Sequence, residues 1–111
     1  MDSSRVSAFA AGVLVANSAP HLATAVTGRR HLTPLAGRSS GPLANAVWGG
    51  LNLAGGLVLL ARTRRGGGRW GPDLVAFEAG CLTLAAWMAG SERAMAINSA
   101  PDGPAGGRPQ R

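Results

Sequence analysis

The sequence predicts an all-α membrane protein with three transmembrane helices, and three observations carry that prediction. Val6 to Gly28 and Ser39 to Ala61 each run without one Asp, Glu, Lys or Arg, and an arginine stands at both ends of each run. Either run exceeds the roughly 20 residues that a helix rising about 1.5 Å per residue needs to cross a hydrocarbon core of about 30 Å. A third, weaker run extends from Leu74 to Gly90 around Glu78. Charge is also scarce: 14% of the residues are charged and 46% are apolar, whereas about 25% of a soluble domain is charged. So few charges cannot clothe a surface facing water.

A chain of 111 residues holds one domain. It is expected to cover residues 1–97, followed by a disordered tail over 98–111 rich in Pro and Gly. Helix 1 is expected at about 6–26, with Pro20 in its interior removing the usual donor to the Ala16 carbonyl. Gly28-Arg29-Arg30-His31 then supplies a terminating glycine and positive charge at the helix C-terminus. The first residues imitate a cleavable leader, with Ala16-Asn17-Ser18 as the small-residue site. Asp2 cancels Arg5, however, and the apolar run continues to Val26, so helix 1 is expected to be retained.

The first connection holds Thr33-Pro34, Gly37 and Ser39-Ser40-Gly41-Pro42, all turn or capping chemistry. Ser40 or Gly41 reads as an N-cap ahead of Pro42, starting helix 2 at about 42–61. Ala46, Gly50 and Ala54 recur along it every fourth residue, a spacing that lets helix backbones approach closely. The second connection, Arg62 to Gly71, is arginine and glycine. Gly71-Pro72-Asp73 repeats the start signal, so helix 3 is expected at about 72–90, with a further amphipathic turn towards Ile97. Trp70 and Trp87 lie near its two ends, where interfacial tryptophans belong. Basic residues almost balance across the three crossings, with a slight tilt to an amino end inside.

An antiparallel hairpin of helices 1 and 2 turning near Pro34 places residues level when their numbers sum to about 69. Asn17 then faces Asn52, His21 faces Trp48, and Thr24 faces Asn45. Asn17, His21 and Thr24 share one face of helix 1, as Asn45, Trp48 and Asn52 share one face of helix 2. These six residues form a polar seam inside an apolar hairpin. One reading is structural, a set of hydrogen bonds across the helix pair. The other is functional, because intramembrane polar groups mark paths and sites and histidine changes charge near neutral pH.

Glu78 invites the same two readings. Its carboxylate either reaches the interface and the arginines of the second connection, or binds a proton or cation in an oligomeric transporter. Arg29, Arg30, Arg62, Arg64, Arg65 and Arg69 are expected to contact anionic lipid headgroups, at about 1 kcal/mol each. The Arg62 to Arg69 stretch also imitates a nucleic-acid segment, but a juxtamembrane loop explains it with less, and no nucleic-acid partner is expected. An arginine set without one lysine, in a chain rich in Ala and Gly, fits a GC-rich bacterial genome.

Cys81 is the sole cysteine and cannot close an intramolecular disulfide. His21 and His31 are the only histidines, so no metal site of standard spacing exists. Neither a phosphate-binding Gly-rich loop nor a nucleophile with its base is visible. No catalytic residue and no cofactor are therefore expected.

Asn17-Ser18-x-Pro20-His21, Gly28, Thr33-Pro34, Ser39-Ser40, Pro42, Asn45, Trp48-Gly49 and Asn52 together resemble a family of small, uncharacterised bacterial integral membrane proteins carrying a similar string. The resemblance covers Asn17 to Asn52, and Gly41 departs from it by separating the serine pair from Pro42. It implies a membrane protein and supplies no reaction. The function expected is that of a non-enzymatic accessory or structural subunit in the cell membrane, spanning it several times. Such a subunit packs against itself as a homo-oligomer or against a larger membrane partner. The alternative is a subunit of a small oligomeric transporter or channel that uses Glu78 and the polar seam.

Overall fold

The computed structural model describes residues 3–63 and 71–95, and the fold is all-α. Helix α1 spans Ser3–Thr27, α2 spans Pro42–Ala61 and α3 spans Pro72–Met95. Each is long and apolar enough to cross a membrane. α2 has the expected bounds. α1 begins three residues early and takes Arg5 into its first turns, and it continues unbroken through Pro20. α3 runs to Met95 and so takes in most of the further turn expected towards Ile97: Ser91 returns to the protein interior and Arg93 lies in the last turn, where the helix dipole favours a cation. The Arg64 to Arg69 stretch, Trp70, the approach to Ile97 and the tail over 98–111 lie outside the described residues.

α1 is the central element. α2 runs antiparallel to it: Gly56 packs on Val15, and Gly49 packs on Leu22 and the His21 β-carbon. α3 runs parallel to α1, since Ser4 Oγ donates to Asp73 at 2.6 Å and, two turns on, Cys81 Sγ donates to the Gly12 carbonyl at 3.4 Å. No Cα of α2 comes within 8 Å of one in α3 among the described residues. The two outer helices therefore flank α1 and leave a groove between them.

Packing against α1 relies on small residues. A β-carbon on Gly12 would run into the Phe77 carbonyl, and one on Gly80 would run into the Phe9 carbonyl. The two glycines are reciprocal, each admitting the other helix's backbone, as small residues do in membranes where dispersion replaces the hydrophobic effect. Among the described residues the fully buried apolar side chains are Ala8 and Ala11, while Val26, Leu43 and Leu82 are more than two-thirds exposed. Large side chains outside and small or polar ones inside suit a lipid surround.

Gly28, at φ 71°, ends α1 in the left-handed conformation. Its N–H donates to the Ala25 carbonyl and the Arg29 N–H to the Thr24 carbonyl, the paired bonds that close a helix around such a glycine. Gly41 is the N-cap of α2 and Pro42 its first residue, with no side-chain cap. Ser40 is turned away from the capping role because its hydroxyl donates back to the Gly37 carbonyl at 2.7 Å.

Candidate functional site: a polar groove beneath the first connection

Asn45 is fully buried in the first turn of α2. Its side-chain amide donates to the carbonyls of His31, Ser40 and Gly41 at 3.1, 3.0 and 3.0 Å. Three carbonyls for two N–H groups fix which end of this side chain is nitrogen. Its oxygen therefore faces His21 Nδ1, at 2.7 Å. A carboxamide oxygen only accepts, so Nδ1 carries a proton, and whenever the ring is neutral Nε2 is its acceptor. One side chain thus ties α1, the connection and α2 together.

The connection is held by a second set of bonds. Thr33 and Gly37 exchange backbone bonds of 3.2 and 2.9 Å around Gly37, at φ 80°. Ser40 spends its hydroxyl proton on the Gly37 carbonyl, so the 2.8 Å contact between the two hydroxyls is a donation from Thr33 to Ser40. Thr33 Oγ in turn accepts from the Leu35 and Ala36 N–H groups. Both hydroxyls are buried and both are satisfied, so the connection folds down as a plug.

Deeper in the bilayer, Asn17 donates to the Asn52 side-chain oxygen at 3.1 Å, and Asn52 donates to the Trp48 carbonyl at 2.8 Å. Asn17, His21 and Asn52 form the floor of a cavity of about 420 Å³ between α2 and α3. Trp48 stands on its α2 side, Leu84, Trp87, Met88 and Ser91 on its α3 side, and His31 to Pro34 at its outer end. The His21 and His31 rings meet edge to face with centroids 4.6 Å apart. Partial burial first, and the neighbouring His21 second, hold His31 below the ordinary histidine value of 6.5, against a smaller upward pull from Glu92.

The structure joins Asn17 to Asn52 as the register predicts. His21 bonds to Asn45 rather than meeting Trp48, because Gly49 presents no side chain opposite it and the ring reaches to Asn45, one turn along the same α2 face. Thr24 makes no side-chain bond to the seam among the described residues. It serves instead through its carbonyl, which caps α1. Trp48 lines the cavity. Glu78 is exposed on α3 and is not among the groups lining the cavity. Arg29, Arg30 and Arg62 are exposed at helix ends, and Arg30 also donates to the Ser39 carbonyl at 2.8 Å.

Thr33, Ser40 and the α3 wall complete the site and were not expected in it. Thr33-Pro34 and Ser39-Ser40 read only as turn chemistry in the sequence, though the burial of Thr33 and Ser40 makes those two part of the seam. Ser91 opens the further turn expected after Gly90, and its inward position follows from the packing of α3 rather than from that turn's pattern. No group of three or more His, Cys, Asp or Glu side chains gathers to hold a metal ion among the described residues. No protein-family model, curated protein or solved structure matches the chain.

Proposed function

We propose that the protein is a non-enzymatic helical subunit of the cell membrane, which associates through the outer face of α2 with a second copy of itself or with a larger membrane protein. One observation carries this reading. The packing of α2 on α1 buries Asn45, Gly49, Asn52 and Gly56, whereas Ala46, Gly50 and Ala54 face outward. A β-carbon on Gly50 would meet nothing within 4 Å. A stripe with this spacing suits close approach of another transmembrane helix, and the internal fold leaves it unused. Ala54 also borders a shallow apolar groove of about 500 Å³, lined by Leu14, Leu51, Gly55 and Val58. Helix knobs pack into such a groove.

The transporter reading has less support, because Glu78 and the seam do not meet within one chain. Cysteines placed singly at Ala46, Gly50 and Ala54 in a background without Cys81 are the test, with oxidative crosslinking in native membranes and the buried Ala11→Cys as the control. Crosslinks at the three outward positions and not at the control are expected, and Gly50→Leu should abolish association. A chain that stays monomeric and partnerless at all three positions overturns the reading.

A further inference from the structure

The groove between α2 and α3 has its own chemistry, separate from the outer face of α2. His21 is 4% exposed, and its Nδ1 is committed to Asn45. The remaining nitrogen, Nε2, has no hydrogen-bond partner among the described residues, although the ring lines the cavity. Such a buried acceptor costs free energy unless something donates to it. One turn away, Asn17 spends its amide on Asn52, so its side-chain oxygen is also left to accept. The floor thus holds two acceptors, His21 Nε2 and the Asn17 side-chain oxygen, that no described residue fills.

The lining residues identify the kind of donor. None of them is an acid or an arginine, so an ammonium finds no countercharge there and a carboxylate or phosphate none that is permanent. Indoles of Trp48 and Trp87 stand on opposite sides, and Met88 adds a polarisable sulfur suited to an aromatic edge. Because α2 and α3 stand apart, the cavity opens sideways towards hydrocarbon, and its volume of about 420 Å³ lies in the range of small-molecule sites.

We propose that this groove binds a neutral, membrane-soluble ring compound bearing a hydroxyl, of the phenol or quinol class, whose O–H donates to His21 Nε2 while its ring lies between Trp48 and Trp87. The ligand enters from the bilayer and its alkyl part remains in lipid. The Asn45 bond is what makes the site selective: it fixes the proton on Nδ1 and so presents the other nitrogen as an acceptor.

The test uses the full chain in phospholipid nanodiscs, titrated with a para-heptyl phenol and with its methyl ether. These probes share shape and partitioning but differ in the donor. Tryptophan fluorescence reports occupancy, and the ¹⁵N resonances of the His21 ring report the hydrogen bond. Saturable phenol binding, a perturbed Nε2 resonance, and binding of the ether weaker by about tenfold or more are expected. Trp87→Leu alters an exposed wall that the hairpin does not need, and it should weaken phenol binding with folding unchanged. Equal binding of phenol and ether overturns the proposal, as does linear partitioning without saturation. An Nε2 resonance that ignores the phenol does the same, and so does lipid that the phenol cannot displace.

Discussion

His21 Nδ1 and the Asn45 side-chain oxygen stand 2.7 Å apart across the α1–α2 interface, and Asn45 holds the far side of that bond in place with the three backbone carbonyls it caps. The register of the hairpin and the fold of its connection therefore depend on the same carboxamide.

Replacing Asn45 with Ala should be the most damaging change in the seam. It strips the His21 N–H of its acceptor and the His31 carbonyl of its side-chain donor, while the Ser40 and Gly41 carbonyls keep their backbone donors, and each buried group left unpaired costs about 1 to 3 kcal/mol. A loss of about 2 kcal/mol or more is expected in reversible unfolding in bicelles. Asn45→Asp should be no better, since a carboxylate has no N–H for those carbonyls. Stability equal to the parent in either variant would remove Asn45 from this role.

The connection should loosen on acidification. His31 in the folded chain sits below 6.5 through burial and the nearby His21 ring, so an opened connection binds the proton more readily than the closed one. By linkage, closure is fully favourable above about pH 6.5 and weakens as pH falls through that value towards the lower folded one. Hydrogen exchange of the His31 amide, which donates to Ser40 at 3.2 Å, should accelerate beyond the intrinsic trend in that window. His31→Gln should flatten the dependence.

Much of this arrangement was legible in the sequence because helix periodicity and charge-free length are local properties. The three spans and the level pairing of Asn17 with Asn52 follow from them, and the start of α2 at Pro42 and the stop at Gly28 follow from equally local capping chemistry. The pairing of His21 with Asn45 did not, since a register counts heights and overlooks the gap that Gly49 leaves for a ring to pass. The α1–α3 contact was equally hidden. Gly12 and Gly80 are two glycines among 17, and only the parallel placement of the helices shows that each admits the other's carbonyl. Ala46, Gly50 and Ala54 were recognisable as a packing stripe, but not as one that the fold leaves on the outside.

Gly12 and Gly80 should behave as one unit. A β-carbon at either position meets backbone rather than a yielding side chain, so the helices must separate at the crossing to admit it. Gly12→Ala and Gly80→Ala should each release α3 from α1, and the double variant should cost less than the sum because the helices have already parted. Disulfide formation between cysteines at Ser4 and Asp73, in a background without Cys81, reads this directly: yield should fall in either glycine variant and little further in both. Additive losses would show that the two sites act separately.

Asn17 and Asn52 offer the sharpest separation of hydrogen bonding from packing. Their bond spans the hairpin at 3.1 Å, and side-chain bonds between membrane helices average about 0.6 kcal/mol. Asn17→Leu leaves the Asn52 side-chain oxygen unpaired, and Asn52→Leu strands the Asn17 amide in hydrocarbon, so each single variant should lose about 1 kcal/mol. The pair Asn17→Leu with Asn52→Leu removes both groups together and restores apolar contact. It should recover most of the loss, giving a favourable coupling energy in a double-mutant cycle. If the double variant instead loses the full sum, each asparagine has a further partner, and the cavity that both of them floor is where it should be sought.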